Sequence, residues 1–146
     1  MIMTLDELRN EWERDSQLNE EDLSGEALKI SSLHSKYLNV LIQHRLKLTK
    51  LSMDLAQMKA LKGRYFRGEL TTEELKERGW EQWQYRTLKA DIEGLIEADT
   101  DIQTIIAREQ YIKTILYFLE SCMGELKNRN FAIKSAIDWI KFRAGN

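Results

Sequence analysis

Residues 27–67, ALKISSLHSKYLNVLIQHRLKLTKLSMDLAQMKALKGRYFR, decide how this chain folds. Ile30, Leu33, Tyr37, Leu41, His44, Leu48, Leu51, Leu55, Met58 and Tyr65 recur at steps of three and four. A seam of that period, kept up for about five heptads, predicts one long helix over residues 25–66 with one face buried. Gly68 is the expected stop. The chain has no proline and only seven glycines, so little in it interrupts a helix, and its all-α class follows.

The same stretch sorts charge. It holds nine Lys and Arg residues against a single acid, Asp54, whereas residues 1–26 hold nine acids against two bases and residues 69–110 hold eleven against five. A net charge of −2 therefore hides a strongly basic module. Such a stripe is the usual footprint of a polyanion-binding surface, although a solvated helix face matched to an acidic neighbour produces the same count.

Working outward, Thr4 with Glu7 forms a capping-box signal for a short acidic helix that ends near Ser16. Thr71 with Glu74 forms another, opening a short helix that ends at Arg78 before Gly79. Leu88, Ile92, Leu95, Ile102, Ile106, Ile112, Leu116, Leu119, Met123 and Leu126 continue a helical seam, broken by Asp99 and loosened at Gly94. A second long helix over residues 81–127 is expected to fold back on the first as an antiparallel hairpin. Asn128, Arg129 and Asn130 read as a turn, with Asn130 capping a last helix.

The chain is thus expected to be a single helical domain over residues 1–146. Its parts are an acidic N-terminal helix within 1–26, a basic long helix at 27–67, a second helical arm at 69–127 and a C-terminal helix at 130–146. Few helices leave apolar surface uncovered, and Trp139 widens the last helix's apolar face. That helix, with Phe131, Ile133, Ile137, Trp139, Ile140 and Phe142, is the expected homo-oligomerisation surface. Its alternative is to pack on its own hairpin.

Enzyme motifs fail. Gly63 and Gly68 lack the spacing and the Lys-Ser/Thr of a phosphate-binding loop. His34 and His44 have no Cys partner nearby, and no Glu-x-x-His pair exists, so neither a metal nor another cofactor is expected. Both histidines fit packing better than ligation. Asp91, Glu93, Glu97, Asp99 and Asp101 read as a solvated face. Cys122, between Leu119 and Met123, reads as a small core residue, and a lone cysteine without an early apolar signal run fits a reducing cytoplasmic setting. No stretch approaches the roughly 20 apolar residues of a membrane span.

Lys59, Lys62, Arg64 and Arg67 crowd the end of the first long helix, interleaved with Tyr65 and Phe66. Cations there complement the negative end of the helix dipole, but that explains one or two charges rather than nine. Bases pair with phosphates, and a neighbouring ring accepts an unstacked nucleobase without reading sequence. The candidate single-stranded DNA surface is therefore Lys47, Lys50, Lys59, Lys62, Arg64, Phe66 and Arg67. Repeating it around an oligomer raises avidity without new contacts. Trp80 and Trp83 fit core or interface roles, while Arg78 and Arg86 leave a binding role open there. The rival reading is a coiled-coil adaptor or assembly chaperone whose basic helix meets an acidic protein.

Three segments carry a resemblance: Leu33-His34-Ser35-Lys36-Tyr37-Leu38-Asn39, Lys62-Gly63-Arg64-Tyr65-Phe66-Arg67-Gly68, and Asn130-Phe131-Ala132-Ile133-Lys134 through Phe142-Arg143-Ala144-Gly145. In this order they resemble the UvsY recombination mediators of T-even-type bacteriophages, without a gap over residues 5–68 and again over the C-terminal segment. The resemblance implies a helical ring-like homo-oligomer, a hexamer or heptamer, that binds single-stranded DNA. It also implies partners, the phage recombinase and the phage single-strand-binding protein, and a role in loading the former onto DNA covered by the latter. The family's basic pair maps onto Lys62 and, in a gapless register, Ala60, so Lys59 or Arg64 is the expected substitute for the second base.

Overall fold

The computed structural model describes residues 2–145 and contains five helices and no strand among them. They are α1 (Leu5–Asp15), α2 (Leu23–Phe66), α3 (Thr72–Arg78), α4 (Lys89–Ala98) and α5 (Thr100–Arg143). The chain divides into two compact units, and both long helices contribute to each. One unit is Lys47–Tyr111; the other comprises the residues up to Leu46 together with those from Ile112 onward.

In the terminal unit, α1 opens on the expected capping box. Thr4 Oγ1 accepts from the Glu7 amide at 3.2 Å, and a Glu7 carboxylate oxygen accepts from the Thr4 amide at 3.4 Å. The heptad face of α2 buries Tyr37, Leu41 and His44, and Leu8 of α1 and Ile115, Leu119, Cys122 and Leu126 of α5 are buried in the same unit. Trp12 stands edge-on to Tyr37, ring centroids 5.1 Å apart. The Tyr37 hydroxyl donates to Asp15 at 2.7 Å, so the one polar atom of this buried ring is satisfied. His44 is fully buried with its ring nitrogens 2.9 Å from the Val40 carbonyl and 3.3 Å from that of Met3, a packing role rather than ligation.

Asn128, Arg129 and Asn130 are helical, and α5 continues unbroken to Arg143. The expected turn and the separate C-terminal helix are thereby corrected. No proline or glycine breaks the backbone there, and Arg129 has a use that requires a helical position. Buried in the packed face, it donates to the carbonyls of Asp15 (3.4 Å) and Ser16 (3.0 Å), closing the C-terminus of α1.

In the central unit, α2 and α5 run antiparallel. Ser52 donates to Glu109 at 2.8 Å, and ten residues further along α2 Lys62 reaches back to Asp101 at 2.9 Å. Gly68 ends α2 and Gly79 ends α3, each at positive φ (73° and 69°), where a side chain is strained. The helix expected from residue 81 begins only at Lys89. Residues 80–88 instead follow an irregular path pinned by ring packing and by the Tyr65 hydroxyl, which donates to the Glu81 carbonyl at 2.6 Å. Asp99 then divides α4 from α5. Its backbone is extended (φ −67°, ψ 133°), and its side chain accepts from the Ile102 amide at 3.1 Å as an N-cap does.

Candidate nucleic-acid interface

The residues expected to meet DNA all lie in the central unit, and burial separates them. Lys47, Lys50 and Lys59 are exposed. Lys50 lies 3.7 Å from Asp54, one turn along, while Lys47 and Lys59 enter no ion pair among the described residues. Exposed cations of this kind keep their charge available to a phosphate at little desolvation cost.

Arg64 and Arg67 reach the surface already engaged. Arg64 makes a two-pronged pair with Glu74 of α3, both contacts 3.0 Å, and Arg67 lies 3.0 Å from Glu69. The Arg64 hydrogen bond, with help from the Thr71 backbone, holds the Glu74 carboxyl below its ordinary range. Glu74 is also the capping-box residue of α3, so one carboxylate starts that helix and ties it to α2.

Lys62 and Phe66 lie inside. The Lys62 ammonium sits 3.0 Å from Asp99 and 2.9 Å from Asp101, 4.0 Å from the ring centre of Trp80, with 8% of its side chain exposed. Burial, the largest influence, pulls its pKa down, but the hydrogen bonds to Asp101 and Asp99 outweigh it and the net shift is upward. Phe66 is buried edge-on against Trp83 at 4.9 Å and Tyr65 at 5.4 Å. In the single chain, Lys62 and Phe66 face their own neighbours rather than solvent.

Two arginines complete what the sequence list began. A groove of about 570 Å³ has Leu51, Met58, Leu61 and Ile105 among its lining, with Arg64, Arg78 and Arg108 around it and Asp54 as the acid. Arg78 arrives from the end of α3 and Arg108 from α5, and both are exposed. Arg108 sits in a sequence stretch of mixed charge and gives no local signal. The antiparallel pairing seen at Ser52 and Glu109 is what brings it to the basic helix. Arg78 and Arg108 beside this apolar lining, with Arg64 shared with Glu74, can hold a flexible polyanion and leave room for its non-ionic parts.

In the terminal unit, Phe131, Trp139, Ile140 and Phe142 are exposed, the last by 72%, and the rings of Trp139 and Phe142 stack 5.7 Å apart. Ile137 is half-buried, and Ile133 faces the interior at 4% exposure. An apolar run of this size in water is the kind of surface that a partner covers. Leu28, Ile42 and Leu46 of α2 are exposed in the same unit.

No group of three or more His, Cys, Asp and Glu suited to a metal ion occurs among the described residues, and no helix is long and apolar enough to cross a membrane. Burial pushes the Cys122 thiol up to about 12, which makes it a poor nucleophile.

Comparison with known proteins locates this architecture. The family described as recombination, repair and single-stranded-DNA-binding protein UvsY matches residues 11–146. The recombination protein uvsY of Enterobacteria phage T4 is 28% identical over 145 residues, covering 98% of this chain and 99% of the relative. Crystal structures of the bacteriophage T4 recombination mediator protein UvsY share the fold. In lattice type II the TM-score is 0.84 at 24% identity over 97% of this chain and 98% of the other, and in lattice type I it is 0.81 at 23% identity over 93% and 98%.

Proposed function

This chain belongs to the UvsY family of recombination, repair and single-stranded-DNA-binding proteins, and from that premise we propose that it is a recombination mediator that grips single-stranded DNA with the basic surface of its central unit. The observation that carries the reading is the groove of Arg64, Arg78 and Arg108, together with the exposed lysines Lys47, Lys50 and Lys59. No bond is made or broken. Several copies of this surface on a ring, a hexamer or heptamer, capture and wrap the strand. Wrapping loosens a covering single-strand-binding protein and presents the DNA to the phage recombinase in the host cytoplasm. Differential binding energy alone does this, because the mediator favours the strand shape in which the covering protein is held less tightly. The ring closes through the exposed Phe131, Trp139, Ile140 and Phe142 with half-buried Ile137, and Ile133 supports that face from beneath.

The test is binding of a fluorescent poly-dT strand over a salt series, with mass followed by light scattering. Lys47→Ala, Lys50→Ala and Lys59→Ala combined are expected to weaken binding and flatten the log–log salt slope by about 0.7 per lost phosphate contact, roughly 2 for each protomer that touches the strand, with the mass unchanged. An unchanged affinity and slope would remove these lysines from the interface. A folded wild type that binds nothing at low salt would move the basic helix to an acidic protein partner. Ile137→Asp with Ile140→Asp is expected to reduce the assembly to a smaller species, and an unaltered mass would refute the C-terminal contact.

A further inference from the structure

We infer that Trp83 and Tyr85 form a stacking platform for unpaired nucleobases, a contact separate from the arginine groove and resting on the single-stranded-DNA reading above. Residues 80–88 belong to no helix, yet they are fixed at several points. The Trp80 amide donates to the Leu75 carbonyl at 3.0 Å, Tyr65 holds the Glu81 carbonyl, and the Trp83 indole N–H donates to Thr87 at 3.0 Å. Behind this segment Trp83 packs edge-on against Phe66 at 4.9 Å and lies 5.8 Å from Tyr65. Its polar and apolar parts are both satisfied, so the ring has one defined orientation.

Tyr85 leans on Trp83 with ring centroids 5.0 Å apart, and 72% of the residue is exposed. It therefore meets Trp83 at a steep angle, 60° between the ring planes, and leaves most of its surface open. A ring held this way loses little freedom when a flat partner settles on it, and each nucleobase offers such a partner whatever its sequence. The charges around it suit the same ligand. Arg86, next in the chain, is exposed and enters no ion pair among the described residues. Thr87, which anchors Trp83, lines a groove containing Arg67, Lys89, Ile92 and Ile96, with Glu69 and Glu93 among its walls. Two bases balanced by two acids give that groove little net pull on phosphate, so the contribution of this site comes from the base more than from the backbone.

That distinction sets the experiment. Wild type and Tyr85→Ala are titrated with fluorescent poly-dT and with an abasic strand of equal length and equal phosphate count, and Trp fluorescence is recorded in parallel. Wild type is expected to bind poly-dT at least about fivefold more tightly than the abasic strand, with quenching of Trp emission by poly-dT alone. Tyr85→Ala is expected to lose most of that preference while keeping its abasic affinity and salt slope, and Tyr85→Phe to retain it. Equal binding of the two strands by wild type, or a full preference surviving in Tyr85→Ala, overturns the platform and leaves the mediator reading standing. Wild type that binds neither strand removes both.

Discussion

Lys36 and Lys62 lie on the same helix and are given the same device: an ammonium held between two carboxylates beside an aromatic ring. Lys36, in the terminal unit, lies 2.7 Å from Asp15 and 2.8 Å from Glu11 of α1, and 5.5 Å from the centre of the Tyr37 ring. Lys62, in the central unit, lies between Asp99 and Asp101 against Trp80. The difference is water, since 40% of the Lys36 side chain is exposed against 8% for Lys62. In both, burial works against the charge and hydrogen bonds to the carboxylates more than restore it, so both pKa values rise. Exposure decides what each ion pair does for the fold. The Lys36 pair gains little over hydrated ions, whereas removing Lys62 strands the nearly enclosed carboxylate of Asp99.

The largest expected effect follows from that contrast. Lys62→Ala is expected to destabilise the central unit by about 3–5 kcal/mol, read as a lowered urea midpoint, because Asp99 loses its cation while nearly enclosed. Lys62→Met combined with Asp99→Asn and Asp101→Asn is expected to recover much of the loss, since no charge is then left unpaired. If Lys62→Ala leaves the midpoint unchanged and weakens DNA binding, the lysine is a phosphate ligand and the burial argument is wrong. Loss of DNA binding in an unfolded Lys62→Ala sample would not by itself place the lysine on DNA.

Next in size is Arg129→Ala. It withdraws a buried charged donor from the carbonyls of Asp15 and Ser16, and a loss of about 1.5–3 kcal/mol is expected. Arg129→Lys keeps the charge without the fork and is expected to recover only part of it. Equal stability of all three proteins would show that α1 is held without help from Arg129. Lys36→Ala, by comparison, is expected to cost no more than about 1 kcal/mol, so a loss as large as that at Lys62 would erase the distinction drawn between the two sites.

Much of this fold was legible because its decisive signals are local. The capping boxes at Thr4 and Thr71, the seam of α2 and the stops at Gly68 and Gly79 each depend on residues a few positions apart. What escaped depends on residues far apart in the chain. Trp83 and Tyr85 fall in the first turns of the helix expected from residue 81, but Tyr65 and Phe66 supply ring partners and a hydroxyl that hold this segment in another path. Asn128, Arg129 and Asn130 read as a turn with Asn130 as a cap, but Arg129 is drawn onto the end of α1. The candidate site divided along the same line. Charge count located the basic segment, but it could not distinguish the open Lys47 and Lys59 from the enclosed Lys62. It also could not find Arg108, which becomes a neighbour of the basic helix only once α5 folds back along it.

The smallest effect separates the two lysine sites by pH. For Asp15, burial is the largest influence and raises the pKa, but hydrogen bonds from Lys36 and Tyr37 outweigh it and the net shift is downward. A carboxyl lowered on folding stabilises the native state above its unfolded value, near 3.8, and that contribution fades as pH falls through the lowered native value. Lys62 has the opposite sign. A lysine raised on folding stabilises below its unfolded value, near 10.5, and the contribution fades as pH climbs through the raised native one. Lys36→Ala should therefore flatten the acid limb of a stability–pH curve, because Asp15 loses its hydrogen-bonded cation and keeps the Tyr37 hydrogen bond and the smaller attraction of Arg14. Urea midpoints measured from pH 2 to 5 on wild type and Lys36→Ala check this. Parallel acid limbs would mean that Asp15 is held down chiefly by the hydrogen bond from the Tyr37 hydroxyl, which would make the buried ring, and not the surface lysine, the polar anchor of α1.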